Sequence, residues 1–305
     1  MTHPAIEILY GFDMEPDIGS WTPHHEGLRH ATPLLLNLFR AHKITGTFYF
    51  VGSSAKEVPE SVVAVKEAGH EIGAHSLFHE TVGKPIFPIP GITPLLDHEV
   101  TPRLKLNTEW IEEVCGVRPV SFRSPRGFCS TQVCRSLEEL GYVSDASYLM
   151  YFYEKRMEPY HPSAEDWTQK GHMDLVEIPN FADLSMESRD PHGRDRDQWP
   201  LFRTDSARAL LERIDRHCAY LEKQGVQRKV LSFYFHPWEF WPMPQDWISY
   251  GEGSVKPQPF IVKNCGDYAL EQLDILTDEL KKRGAAFRTA AQIAAETSAP
   301  GAPSQ

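Results

Sequence analysis

Four short segments hold most of the side chains able to do chemistry. Asp13-Met14-Glu15-Pro16-Asp17 sets three carboxylates at alternate positions. In an extended chain, residues two apart point to one side, and Pro16 favours an extended Glu15, so Asp13, Glu15 and Asp17 are candidates to converge. His75-Ser76-Leu77-Phe78-His79 places two imidazoles four residues apart, a spacing that lets both reach one metal ion if the segment turns helically. Two histidines and one carboxylate, with a fourth position open, form the donor set of a catalytic zinc-type site. Arg123-Ser124-Pro125-Arg126-Gly127 offers a guanidinium that can hold a carboxylate in a fixed fork. His236 stands in SFYFHPWEFW, with Trp238, Phe240 and Trp241 behind it and Trp247 and Tyr250 further on. It can act as a general acid beside an aromatic wall. Taken singly, each segment also reads as an ordinary solvated turn or as packing.

What sets them apart is where they fall. Segments 6–12, 46–51, 70–74, 120–122, 142–145, 174–179 and 229–235 read as strands, and Phe287 as part of a last short one. Thr32-Pro33 reads as the N-cap and first residue of a helix carrying Leu34, Leu35, Leu36, Leu38 and Phe39. Pro59 opens a second helix that Gly69 closes. Further helices are expected over 99–115, 130–140, 205–223, 267–283 and 290–296. The proline-rich stretch 84–94 reads as an insertion loop, 185–200 as a charged surface excursion, and 236–259 as an aromatic loop. Strands alternating with helices predict an α/β fold of parallel βα units, in a barrel or a doubly wound sheet. The expected domain is a single one over 1–296, with 297–305 a disordered tail. Each chemical segment then sits at the C-terminal end of a strand, where such folds build their sites.

Composition narrows the function classes. Lys+Arg 31 against Asp+Glu 42 leaves a net charge of −11, which argues against nucleic-acid or anionic-membrane binding. A 41% hydrophobic and 24% charged chain has enough apolar residues for a core, which excludes wholesale disorder. No run approaches the ~18 apolar residues of a membrane span. Residues 1–10 have no Lys or Arg and acids follow at once, so no secretory leader is expected and the expected location is cytoplasmic. Cys115, Cys129, Cys134, Cys218 and Cys265 form no CxxC pair and read as reduced thiols, not as a zinc site. His24, His25 and His30 read as a solvated loop near the first acids, with the mouth of a pocket as the other reading.

Read in order, Asp13-x-Glu15, HSLFH, FRSPRGF and a strand ending in His236, with TFYFVG, AGHEIGAHS and VEIPN among them, resemble the polysaccharide deacetylase family. This is the NodB-homology family, carbohydrate esterase family four, and the resemblance runs over roughly residues 6–296. It implies a distorted (β/α) barrel of about seven strands and a hydrolase of carbon–nitrogen bonds outside peptides. It implies Asp13 as catalytic base, His75 and His79 as metal ligands, Arg123 as the group holding Asp13, and His236 as general acid. A protonated His236 needs an acidic partner, for which Asp183 and Asp145 are candidates by position alone. The family's usual start has two adjacent aspartates, the second a metal ligand. Met14 stands in that place here, leaving Glu15, or else Asp17, to supply the carboxylate. The implied cofactor is a divalent metal, zinc first, with nickel and cobalt as alternatives. The Asp-x-Glu start and Glu26-Gly27-Leu28-Arg29 look most like an intracellular branch similar to allantoinase-like and cyclic-imide hydrolases, often oligomeric. The expected substrate is an N-acyl sugar, an oligosaccharide or a small amide or imide. Two other readings compete: a metal-independent ureide or cyclic-imide ring-opening hydrolase, and a non-catalytic carbohydrate-binding protein. Specificity is expected in loops 81–98, 185–200 and 237–262.

Overall fold

A computed structural model describes residues 6–297; the expected tail, apart from Thr297, lies outside the described residues. Seven parallel strands follow one another around a ring: β1 (Glu7–Met14), β2 (Thr47–Phe50), β3 (Glu71–Ala74), β4 (Ser121–Phe122), β5 (Ser144–Asp145), β6 (Val176–Glu177) and β7 (Val230–Phe235). β7 pairs with β1 over Glu7 to Phe12. Beyond β6 the ring completes through a single parallel bridge, Asn180 to Ser232. The short strand Ala286–Phe287 takes the start of β1's other edge, and β2 takes its end from Gly11 to Met14. The architecture is the distorted (β/α) barrel expected from the sequence.

Every residue of β1 is buried, as a parallel strand covered on both faces must be. Ile8, Tyr10, Phe12 and Met14 join the core between the sheet and the outer helices, while Leu9 belongs to a second cluster with Tyr49, Val176, Ile178 and Ile293. The alternate residues thus point into the ring, and Asp13 and Glu15 continue that inward series. At the opposite end, the final helix Ala290–Ala295 closes the ring. Ala290 N–H donates to Thr47 Oγ1 (2.9 Å) and Ala291 N–H to Glu71 Oε2 (3.2 Å). Among the described residues, no helix is long and apolar enough to cross a membrane.

Two expectations about loops are corrected. Thr32 does not cap a helix: the chain is already helical from a π-turn over Gly27–Ala31, and Asp17 caps that turn by accepting from the Glu26 and Gly27 N–H groups (both 2.9 Å). A carboxylate on the first free amides of a helix satisfies donors that have no internal partner. Segment 185–200 is more than a surface excursion. Asp197 and Gln198 are buried, and Trp199 and Pro200 wall the main cavity.

His217, on helix Ala207–Lys223, is fully buried, and burial pulls its pKa down to about 4. The unfolded imidazole titrates near 6.5. Its contribution is therefore complete above that pH and is lost as the pH falls through about 4, up to roughly 3 kcal/mol by linkage. Denaturant unfolding should show His217→Leu losing less stability than wild type between neutral pH and about pH 4.5. Equal losses would contradict this.

Candidate active site

Asp13, Glu15, His75, His79, Arg123 and His236 are all brought together at the C-terminal ends of β1, β3, β4 and β7, and each is at most 9% exposed. Glu15 Oε2 lies 2.6 Å from His79 Nε2 and 3.6 Å from His75 Nε2. Asp13 Oδ2 lies 3.9 Å from both His75 Nε2 and His236 Nε2. Its other oxygen, Oδ1, accepts from Arg123 Nη1 at 2.9 Å.

Arg123 is held from several sides. Its Nε donates to the Ala146 carbonyl (3.1 Å), Nη2 donates to the Phe233 carbonyl (3.3 Å) and to Asn180 Oδ1 (3.4 Å), and its guanidinium lies 4.5 Å over the Tyr49 ring. Space for it comes from Gly11, two residues before Asp13: a Cβ there would sit 2.5 Å from Arg123 Nη1 and Nη2. Gly11→Ala is therefore expected to displace the guanidinium and to destabilise the fold by about 1–3 kcal/mol. Thermal unfolding together with the reaction rate checks this. A fully active variant with unchanged Tm would show that the ring interior can absorb the methyl.

The two histidines do not meet through a helical turn, as the spacing suggested. Ser76 and His79 have positive φ (64° and 59°), and the turn is tied by Glu80, whose Oε2 accepts from Ser76 Oγ (3.1 Å) and from Phe78 N–H (2.6 Å). The result brings the ring centroids to 5.2 Å. His75 Nδ1 must donate to the Arg123 carbonyl (2.7 Å), because a carbonyl only accepts. That turns Nε2 toward Glu15 and Asp13, buried and without a hydrogen-bond partner, and in the neutral imidazole Nε2 is the nitrogen that carries the lone pair. Ligand atoms of Glu15, His75 and His79 lie within 4.8 Å of one another. Burial opposes charge on Glu15, but the His79 and His236 imidazoles beside it hold its carboxyl well below the usual range. An ionised carboxylate, a buried imidazole nitrogen without a hydrogen-bond partner and a backbone carbonyl orienting that ring fit a divalent ion of the zinc, nickel or cobalt kind.

Asp17, the alternative carboxylate, faces away to its helix cap. His236 meets neither Asp183, which pairs with Arg216 (3.2 Å), nor Asp145, which contacts Ser147 and Cys129. Its partner is Glu239: His236 Nδ1 lies 2.9 Å from Glu239 Oε1. Glu239 Oε2 in turn accepts from Arg203 Nε at 2.5 Å, and both of those side chains are fully buried. Burial alone would lower the His236 pKa, but the Glu15 and Glu239 carboxylates raise it to about 9. Trp238 stacks on His236 (centroids 5.1 Å) and its Nε1 donates to Glu15 Oε1 (3.2 Å). A Cβ on Gly27 would lie 2.4 Å from the Trp238 backbone, so Gly27 lets the capped turn pack against this indole. A local signal for Glu239 existed: Pro237 after His236 and an acid three residues on form a capping box.

His24, His25 and His30 stay out of the main cavity; His25 reaches Ser54 Oγ (3.0 Å) and His30 stacks on Trp241 (4.4 Å). Cys129, just after the FRSPRGF segment, and Cys134 come together with their sulfurs 3.8 Å apart, next to Asp145. Burial pushes both thiols up, which suits protonated side chains. The catalytic candidates open on a cavity of about 540 Å³ walled by Trp21, Phe87, Tyr151, Trp199 and Phe260.

Residues 5–144 match the polysaccharide deacetylase family. A peptidoglycan-N-acetylglucosamine deacetylase of Bacillus cereus is 26% identical over 145 residues, 48% of this chain and 58% of that one. The peptidoglycan-N-acetylmuramic acid deacetylase PdaA of Bacillus subtilis is 25% identical over 147 residues, 44% and 52%. The chain thus spans little more than half the length of these curated relatives. Among solved structures, a Mycobacterium smegmatis protein assigned to the polysaccharide deacetylases superposes with a TM-score of 0.63 at 18% identity, over 99% of this chain and 95% of that one. PuuE allantoinase does so at 0.62 and 17%, over 96% and 90%. A Bacillus anthracis pseudoenzyme of carbohydrate esterase family four reaches 0.52 at 13%, over 94% and 67%. These three share the fold, which active and inactive proteins alike adopt. By sequence over residues 5–144 and by fold over nearly its whole described length, the chain resembles the polysaccharide deacetylases.

Proposed function

We propose that this chain is a metal-dependent hydrolase of carbon–nitrogen bonds outside peptides, cleaving an N-acyl group or a small amide or imide. The observation that carries the reading is the convergence of Glu15, His75 and His79 ligand atoms within 4.8 Å, beside an arginine-held Asp13 and a carboxylate-backed His236. The deacetylase relatives act on N-acetyl amino sugars by their names, and release of an acyl group from an amine is the reaction this set of groups suits best.

Glu15, His75 and His79 would hold the ion, which supplies Lewis-acid polarisation of a carbonyl and acidifies water. Asp13 keeps Oδ1 on Arg123 and turns Oδ2 to the site, so Oδ2 is the oxygen that takes the proton of the attacking water. The guanidinium fixes that carboxylate in orientation. His236 holds Nδ1 on Glu239 and presents Nε2, from which the leaving nitrogen takes its proton. Without it the nitrogen would leave as an amide anion.

Elemental analysis of wild type and of the His75→Ala/His79→Ala double variant tests the reading, together with hydrolysis of N-acetyl amino sugars and small cyclic amides with and without chelator. About one zinc, nickel or cobalt ion per chain, absent from the variant, is expected, with turnover that chelator abolishes. Turnover without metal would move the assignment to a metal-independent ring-opening hydrolase. Ligand binding without turnover would leave a carbohydrate-binding protein.

A further inference from the structure

Among the described residues, one cation lining the cavity makes no ion pair. Arg126 follows Pro125 in the turn after β4 and lines the cavity together with Asp13, Glu15, His79 and His236. Its backbone is left-handed (φ 60°, ψ 11°), a conformation that a residue with a side chain adopts only at an energetic cost. Of its five N–H donors, one makes a hydrogen bond among the described residues: Nη1 to the His79 carbonyl, at a long 3.4 Å. Among the described residues, no carboxylate lies within ion-pair distance of it. Burial works against its charge, and the Glu15 carboxylate, which lies beyond ion-pair distance, offsets that only in part.

The acids sharing the cavity are already engaged. Asp13 is on Arg123 and Glu15 on His79. Asp190 accepts from the His192 and Arg194 N–H groups and faces the Arg194 guanidinium at 3.7 Å. Asp195 accepts from Ser188 Oγ and Arg189 N–H, and Asp197 from the Tyr234 hydroxyl. What the cavity still offers is a planar fork of donors beside the candidate metal ligands, half-buried and short of acceptors. That fork matches the two oxygens of a carboxylate.

We propose that Arg126 is the anion-recognising residue of this cavity, and that the substrate is a small acid carrying a free carboxylate on the same molecule as the scissile N-acyl or amide bond. The inference rests on the hydrolase reading for the bond cleaved, but the anion site can be measured without turnover. A neutral sugar polymer would leave Arg126 without an acceptor, whereas an N-acyl amino acid or similar small acid would supply one.

The probes are N-acetylphenylalanine and its carboxamide, each in both enantiomers, which differ in charge and little in shape. Equilibrium binding is read by calorimetry on wild type, Arg126→Gln and Arg126→Lys, with thermal unfolding as the folding control. Wild type is expected to bind the acid of at least one enantiomer about 10- to 100-fold tighter than the amide. Arg126→Gln should lose that preference while binding the amide as wild type does, and Arg126→Lys should keep part of it. Equal acid binding by Arg126→Gln and wild type would overturn the proposal, as would a wild type that binds acid no better than amide. Turnover of neutral N-acetyl sugars without any preference for acids would sink this inference and leave the hydrolase reading intact. Arginine-dependent acid binding in a protein that holds no metal and turns nothing over would do the reverse.

Discussion

Asp13→Asn is expected to lower kcat by about 10²- to 10⁴-fold, the range that a positioned general base contributes. The substitution is nearly isosteric, and the asparagine oxygen can still accept from Arg123 Nη1, which Asp13 Oδ1 does at 2.9 Å. What it cannot do is take a proton at the position of Oδ2. KM should therefore change little while kcat falls, since the group acts on the water and not on substrate binding. The metal content should stay as in wild type, because Glu15, His75 and His79 are untouched. Some loss of stability is expected as well, since Arg123 is buried and would face a neutral amide in place of a carboxylate. Unfolding measured beside the kinetics separates the two effects. A fully active, fully folded variant would remove Asp13 from the base role.

Glu239→Ala should act on folding and on rate together. Glu239 and Arg203 are both fully buried and 2.5 Å apart, and Arg203 also donates to the Lys263 and Ile261 carbonyls (2.7 and 2.6 Å). Removing the carboxylate strands a buried guanidinium, a change that typically costs about 3–5 kcal/mol. Glu239→Gln keeps the volume and is the better kinetic probe. The carboxylates of Glu15 and Glu239 raise the His236 pKa to about 9, so His236 carries its proton below that pH and loses it above. A general acid must be protonated, so the rate should fall as the pH rises through the His236 pKa. With Glu239 neutralised, that falling limb should move to lower pH. A limb that stays in place in Glu239→Gln would show that another group donates the proton.

The positions of the strands, and the placement of Asp13, His75, Arg123 and His236 at their ends, were legible because short-range signals encode them. Short aromatic runs such as LSFYF read as buried strands by their length and composition, and Pro59, Gly69 and Ser130 punctuate the helices through their own backbone and capping chemistry. The alternation that turns Asp13 and Glu15 inward with Leu9 is likewise a property of neighbouring residues in an extended chain. Even the missed Glu239 stood three residues from His236, within a pattern that a capping argument could have picked out.

The pairings across the ring were not encoded locally. Arg123 reaches Asp13 across 110 residues of sequence, and Trp238 reaches Glu15 across 223. Which of several acids meets a given imidazole depends on how seven strands close, and a candidate such as Asp183 proves to belong to Arg216. The same closure decides that Asp17 caps a turn while Glu15 faces the histidines. It also decides that Gly11 is needed as room for a guanidinium, and that Arg126 is left beside the site without an ion pair among the described residues. Periodicity along a chain reports which face each residue presents. Long-range contact is set by packing, where one partner's position depends on all the others, and in this protein that dependence shapes the site's electrostatics.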